Sequence, residues 1–174
     1  MGWELDFMTW GNDWWTSPFL DQVIPWLTHL GSQVAIIFFI LLCWVVSRRK
    51  RSFLYLVPLY AIQTAIVYGV KFLVQRPRPF LMGEVASRFL KGPGEVMDPS
   101  FPSAHTTNAF MMATLLADWF PRYRLFFYAV AGFVGWTRIY LGVHYPTDVM
   151  AGALLGYGLT TLYIYWARNL PKSA

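Results

Sequence analysis

Long apolar segments separated by short polar connections dominate the chain from residue 33 onward. A helix needs about 17–25 residues to cross the core of a bilayer, and five segments reach or approach that length. They are Gln33–Val46, Phe53–Val74, Ala104–Phe120, Leu125–Leu141 and Thr147–Ala167. The pattern predicts an all-α integral membrane bundle with about five transmembrane helices, six being the alternative.

The first 30 residues follow a different pattern. Trp3–Trp15 and Pro18–Leu30 mix acidic residues with Trp, Phe and Leu, which is typical of amphipathic helices lying in the membrane interface. The second of these stretches has an alternative reading, as the start of a long first span. We therefore expect one membrane-embedded domain over 1–174, with interfacial helices at 1–30, a bundle at 31–168 and one long polar loop at 75–102.

Composition supports a membrane protein and excludes an ordinary soluble domain. Charged residues make up 13% of the chain and hydrophobic residues 56%, whereas soluble domains carry roughly 25% charged residues. Aromatic residues reach 19%, and Trp and Tyr are typical of membrane–water interfaces. The single cysteine, Cys43, cannot form an internal disulfide bond.

Basic residues indicate the orientation of the bundle. With five spans, three basic clusters fall on one side, which the positive-inside rule makes cytoplasmic. These clusters are Ser47–Arg51, Pro121–Arg124 and Ala167–Lys172. The 75–102 loop then faces outward, although its own cations (Arg76, Arg78, Arg88 and Lys91) weaken the charge bias.

Three polar clusters map to that same outward side. They are KFLVQRPRP with Lys71 and Arg78, PSAH at Pro102–His105, and TRIYLGVHYPTD with Arg138, His144 and Asp148. Each lies where an apolar segment begins or ends, so segments far apart in sequence bring them to one depth in the membrane. Ionisable residues at such positions are costly and suggest a functional site.

The residue types in these clusters suit phosphate chemistry. Lys71, Arg78 and Arg138 can surround a multiply charged anion, and arginine donates two parallel hydrogen bonds to phosphate. Ser103 is a candidate N-cap in front of a helix N-terminus, which also favours anions. Of two histidines, a neutral one can attack phosphorus and a protonated one can donate a proton to the leaving oxygen. Asp148, four residues after His144, is placed to hydrogen-bond that ring.

The three clusters resemble the signature motifs of the type 2 phosphatidic acid phosphatase superfamily. The family pattern is Lys followed by six residues and then Arg-Pro, next Pro-Ser-Gly-His, and last Ser-Arg followed at fixed spacings by His and Asp. Here the motifs read Lys71…Arg78-Pro79, Pro102-Ser103-Ala104-His105 and Thr137-Arg138…His144…Asp148. Ala104 and Thr137 depart from the usual Gly and Ser. The resemblance covers about residues 61–155.

The resemblance implies a role for each matched residue. His144 would be the nucleophile, Asp148 its orienting partner and His105 the general acid. The phosphoryl group would be bound by Lys71, Arg78, Ser103 and Arg138, with backbone N–H groups near Ala104. The family uses neither a metal nor a cofactor, and two histidines beside three cations make a poor metal site.

Other polar residues have simpler interpretations. We expect His29 to have an interfacial role and Asp118 to pair with Arg122 and Arg124. Arg76 belongs to an RPRP segment in which Pro77 and Pro79 stiffen the loop exit, and we expect it mainly to have this structural role, with assistance in phosphate binding as the alternative. Arg88 and Lys91 either touch the substrate headgroup or lie in a solvated loop.

The expected partners are the bilayer and a phosphorylated membrane lipid, with no nucleic acid. The resemblance suggests undecaprenyl pyrophosphate or lipid A 1-phosphate, with phosphatidylglycerol phosphate and phosphatidic acid as further candidates. It also implies a bacterial inner membrane, the site facing the periplasm or exterior and the C-terminus in the cytoplasm. Two alternatives stay open, a lipid phosphotransferase on the same site and a non-catalytic anion- or lipid-binding protein. The motifs hold only the phosphate and so do not select the lipid.

Overall fold

The computed structural model describes residues 2–46, 50–83, 85 and 98–169. Over these residues the chain is helical and contains no β-strand, which confirms the all-α fold class. The α-helices are α1 (Gly2–Trp15), α2 (Pro18–Leu27), α3 (Gln33–Val46), α4 (Lys50–Val74), α5 (Ala104–Trp119), α6 (Arg124–Tyr140) and α7 (Pro146–Asn169). Short 3-10 turns cover Thr28–Gly31, Pro79–Met82 and Pro121–Tyr123.

Each predicted apolar segment corresponds to one helix, α3 to α7, although Phe120 and Leu141 lie one residue beyond the ends of α5 and α6. The largest difference is at α4, which begins at Lys50 instead of Phe53, because hydropathy marks where apolar residues start and not where helical hydrogen bonding starts. The predicted Pro18–Leu30 helix is divided, since α2 ends at Leu27 and a 3-10 turn follows. Arg88, Lys91 and Lys172, as well as residues 47–49 of the first basic cluster, lie outside the described residues.

Two mainly helical segments of the described chain are long and apolar enough to cross a membrane. They are Leu56–Met82, with a mean hydropathy of 1.5, and Pro146–Asn169, with 1.2. Pro18–Gly31 and Gln33–Leu42 together pass the same test but meet at a 53° bend, so they form a third candidate span only as a broken one. Because α3, α5 and α6 have 14, 16 and 17 residues, the count of five spans stays a prediction.

Helix α5 lies at the centre of the bundle and packs against both α6 and α7. Gly152 of α7 makes the close approach possible, since a Cβ atom there would lie 2.6 Å from the carbonyl oxygen of Ser103. The backbone N–H of Ser103 in turn donates to the carbonyl oxygen of Asp148 at 3.1 Å. The starts of α5 and α7, which carry two of the polar clusters, are therefore held together by backbone contacts.

The N-terminal helices cover the end of the bundle where those clusters lie. On α1, Leu5 and Met8 pack against Tyr145, which follows α6. On α2, Ile24 packs against Tyr140. The opposite side of α1 leaves Trp14 74% exposed, which is compatible with an interfacial helix, but its position in the interface stays a prediction.

Candidate active site

A cavity of about 510 Å³ opens at the end of the bundle between the Thr28–Gly31 turn, α4, α5 and the α6–α7 connection. Six of the eight residues singled out from the sequence line it, namely Lys71, Arg78, Ala104, His105, Arg138 and His144. The other two, Ser103 and Asp148, do not line the cavity and are fully buried next to residues that do. The fold thus brings all three polar clusters to one place.

His144 lies in the turn that joins α6 to α7. Gly142 adopts a positive φ of 71° there, a conformation that glycine accepts readily, and the backbone N–H of His144 donates to the carbonyl oxygen of Arg138 at 3.3 Å. The ring nitrogen Nε2 lies 3.3 Å from Nη1 of Arg78. Since a guanidinium only donates, Nε2 is the acceptor and points into the cation-lined cavity.

The other ring nitrogen of His144, Nδ1, faces Asp148. The distance to Asp148 Oδ2 is 3.5 Å, and Nδ1 has no hydrogen-bond partner among the described residues. The expected hydrogen bond is therefore not formed in this structure, although the carboxylate stands beside the ring. Burial, followed by the charges of Arg78 and Arg138, holds the pKa of the His144 imidazole well below its usual value, so the ring is kept neutral.

Asp148 is anchored by groups other than His144. Its Oδ2 accepts a hydrogen bond from the backbone N–H of Tyr145 at 2.9 Å, and its Oδ1 lies 2.6 Å from Nη1 of Arg76. Arg76 was expected mainly to have a structural role at the loop exit. Its ion pair with Asp148 follows from the way the loop after α4 folds back over the start of α7, which sequence spacing does not reveal.

Two of the three predicted cations share an acidic partner that sequence analysis missed. Asp98 Oδ2 lies 2.9 Å from Lys71 Nζ, and Asp98 Oδ1 lies 2.7 Å from Arg78 Nη2. The Lys71 and Arg78 side chains are 3% and 4% exposed, whereas that of Asp98 is 40% exposed. The Asp98 carboxylate therefore enters the cavity from its open side and pairs with the two cations that were expected to bind a phosphoryl group.

The pKa of Asp98 reports these contacts. Partial burial alone would raise the pKa of the carboxyl group, but Arg78 and Lys71 outweigh it and hold the pKa below its usual value. The residue gave no signal in the sequence, where it was one acid among several in a polar loop.

The third cation, Arg138, is oriented by the N-terminal region. Its Nη1 donates to the hydroxyl oxygen of Thr28 at 2.8 Å, and the Thr137 hydroxyl donates to the same oxygen at 3.0 Å. Thr28 is fully buried. Its role could not be read from the motifs, because it lies more than a hundred residues away from Arg138.

Ser103 is the N-cap of α5, as its position suggested. Its side-chain oxygen accepts from the backbone N–H of Thr106 at 3.5 Å and from the Thr106 hydroxyl at 2.9 Å. His105 follows one residue into the helix and lines the cavity. The helix N-terminus is therefore directed at the site, which favours an anion there.

Two other residues have contacts that the sequence did not indicate. His29, expected to have an interfacial role, lines the same cavity as the motif residues, because the turn after α2 folds against the start of α5. Asp118 forms an ion pair, as expected, but its partner is Arg168 at 2.6 Å and not the predicted Arg122 or Arg124.

Comparison with known proteins assigns the chain to a family. The model of the PAP2 superfamily matches residues 52–172, and the chain therefore belongs to this superfamily, as its motifs predicted. The solved structure of Aquifex aeolicus LpxE has a TM-score of 0.80 and 27% sequence identity, with 92% of this chain and 94% of that chain covered.

Two curated relatives show the range of names in the family. A lipid A 1-phosphatase of Rhizobium etli is 42% identical over 74 residues, which are 41% of this chain and 32% of that protein. An undecaprenyl-diphosphatase of Sulfolobus acidocaldarius is 27% identical over 146 residues, which are 83% of this chain and 69% of that protein. The chain thus matches only about a third of the length of the first relative.

Proposed function

We propose that the protein hydrolyses a phosphomonoester or pyrophosphate on a membrane lipid, without a metal ion and through a phosphohistidine intermediate. The observation that carries the proposal is the position of His144. Its Nε2 faces the cavity beside Arg78, and Asp148 stands behind its Nδ1. A neutral imidazole held in this way is prepared for nucleophilic attack on a phosphoryl group bound by the neighbouring cations.

The reaction proceeds in two displacements. In the first, the lone pair of His144 Nε2 attacks phosphorus and the bond to the lipid oxygen breaks, while His105 gives that oxygen a proton. In the second, His105 takes a proton from water, whose oxygen attacks phosphorus and breaks the P–N bond. Asp148 stabilises the positive charge on the phosphorylated ring, and Lys71, Arg78 and Arg138 offset the negative charge of the phosphoryl oxygens.

The substrate class follows from where the cavity lies. It opens at one end of a bundle whose outer surface is strongly apolar, as the exposure of Phe72 and Leu73 next to the site shows (80% and 84%). A lipid can therefore present its headgroup to the cations while its tails stay in the bilayer. We favour undecaprenyl pyrophosphate or lipid A 1-phosphate, with phosphatidylglycerol phosphate and phosphatidic acid as further candidates.

The proposed location follows from the charge of the two ends. The end opposite the site carries Arg122, Arg124 and Arg168, which the positive-inside rule places in the cytoplasm. The site then faces the periplasm or exterior of a bacterial inner membrane.

The proposal is tested by measuring inorganic phosphate released from each of the four lipids by the purified protein in detergent, with EDTA present. His144→Ala is the test variant. His29→Ala is the matched control, because it removes an imidazole from the same cavity. We expect release by the wild type and by His29→Ala, and a loss of at least about a thousandfold in His144→Ala.

Acid quenching during turnover tests the covalent step. Labelled phosphate should be recovered on His144 in the wild type and be absent from His144→Ala. Full activity of His144→Ala would contradict the mechanism. A wild type that binds the lipids but releases no phosphate would support the non-catalytic alternative, and transfer of phosphate to a second lipid instead of water would support the phosphotransferase.

A further inference from the structure

A buried carboxylate of α1 reaches the site from outside the motifs. Glu4 is only 4% exposed, and its Oε1 accepts hydrogen bonds from the backbone N–H of Thr147 at 3.2 Å and from the Thr147 hydroxyl at 2.7 Å. Thr147 directly precedes Asp148. Glu4 lies outside the region matched by the family model, residues 52–172, so no motif accounts for this contact.

Arg76 connects the same carboxylate to Asp148. Its Nη2 lies 2.6 Å from Glu4 Oε2, and its Nη1 lies 2.6 Å from Asp148 Oδ1. The guanidinium also lies over the ring of Tyr145, 3.9 Å from the centroid. A planar guanidinium bound at both amino groups and stacked on a ring has little freedom to rotate, so Arg76 forms a fixed bridge between α1 and α7.

The bridge determines which way the Asp148 carboxylate points. Arg76 binds Oδ1, which leaves Oδ2 facing Nδ1 of His144. The side chain of Asp148 is fully buried, and a buried carboxylate is costly unless it is paired with a cation. Arg76 supplies that cation, and the Glu4 carboxylate pairs with the other amino group of the same guanidinium.

We propose that Glu4 and Arg76 are positioning residues that hold Asp148 in place for His144, so that helix α1 is part of the catalytic apparatus. This inference rests on the proposed function. Neither residue lines the cavity, so both act on the phosphoryl-transfer step through Asp148 and leave phosphate binding by Lys71, Arg78 and Arg138 unchanged.

The test compares kcat, KM and the inhibition constant of orthovanadate in the full-length protein, using the lipid that the wild type hydrolyses fastest. The variants are Glu4→Gln, Arg76→Gln, Arg76→Lys and the double variant Glu4→Gln/Arg76→Gln. Asp6→Asn is the matched control, because it removes an exposed carboxylate from the same helix.

Residues that orient the ligands of a metal site are worth roughly 10–100-fold in activity, and we take the same range for residues that orient Asp148. We expect kcat to fall about tenfold in Glu4→Gln and about a hundredfold in Arg76→Gln, with Arg76→Lys between the wild type and Arg76→Gln. KM and vanadate inhibition should stay within about twofold in each.

The double variant tests the charge argument separately. In Arg76→Gln, two buried carboxylates are left together without a cation, and removing the second one relieves their repulsion. Glu4→Gln should therefore raise kcat in the Arg76→Gln background although it lowers kcat in the wild type. A purely structural contact would lower activity in both backgrounds.

Thr147→Ala is a milder variant, included in case the charge variants fail to fold. It removes a hydroxyl that donates to Glu4 and accepts from Arg76, and it changes no buried charge. It should lower kcat about threefold at unchanged KM. The inference is overturned if Glu4→Gln and Thr147→Ala both keep the kcat of Asp6→Asn, or if only KM changes. An active wild type with these results would refute this inference alone, whereas a wild type inactive on all four lipids would refute the proposed function and this inference with it.

Discussion

Asp98 occupies the position where an anionic substrate would meet Lys71 and Arg78, and its replacement gives a sharp test of the site. The carboxylate lies 2.9 Å from Lys71 Nζ and 2.7 Å from Arg78 Nη2. A phosphoryl group must either displace this carboxylate or bind beside it against charge repulsion. Asp98→Asn keeps the shape of the side chain and removes its charge, so we expect phosphate analogues to bind more tightly.

The size of the effect follows from the geometry. Two unit charges about 4–5 Å apart interact by about 3–4 kcal/mol at an effective dielectric constant of about 20. Because the Asp98 side chain is 40% exposed, solvent screens it, and we reduce the expected gain to about 1.4 kcal/mol. That free energy corresponds to about a tenfold lower inhibition constant.

The assay is inhibition of lipid phosphate release by orthovanadate and by inorganic phosphate. Asp118→Asn is the matched control, because it removes a carboxylate that pairs with Arg168 at the other end of the bundle, and it should leave both inhibition constants unchanged. An unchanged or higher constant in Asp98→Asn would refute the reasoning. It would mean that Asp98 holds the cations in position more than it competes with an anion.

Three further predictions follow from other contacts of the site. The pKa of His144 is held well below its usual value, so its ring stays neutral on mild acidification. The loss of kcat/KM caused by protonation of His144 should therefore begin below pH about 6.5, and a loss beginning above that pH would contradict the role of His144 as nucleophile. Gly152→Ala places a Cβ atom 2.6 Å from the carbonyl oxygen of Ser103, so it should lower stability by about 1–3 kcal/mol and reduce activity. At Gly158, an added Cβ atom would meet nothing within 4 Å apart from its chain neighbours and the nearby backbone of its own helix, so Gly158→Ala should do neither when thermal unfolding and turnover are measured. Thr28→Val removes the hydroxyl bound by Arg138 and should weaken vanadate inhibition about tenfold, whereas Thr28→Ser should retain it; equal inhibition in Thr28→Val would show that Arg138 needs no such support.

The motif residues could be assigned to one end of the bundle from the sequence, because successive apolar segments cross the bundle in opposite directions. Once Phe53–Val74 and Ala104–Phe120 are recognised as successive apolar segments, Lys71 and His105 must lie at the same end of the bundle. The same reasoning places Arg138 and Asp148 there. The structure confirms that these side chains meet at one end of the bundle.

The sequence alone therefore determined the all-α class, the helical segments, the family and the end of the bundle that carries the polar clusters. These features depend on local hydropathy and on fixed spacings between neighbouring residues. The tertiary structure alone decided which groups surround the motif residues. Asp98 pairs with Lys71 and Arg78, and Thr28 accepts a hydrogen bond from Arg138. Arg76, itself paired with Glu4, forms an ion pair with Asp148. Glu4 and Thr147 are 143 residues apart, and no periodic pattern links them, because their contact depends on how α1 packs across the start of α7.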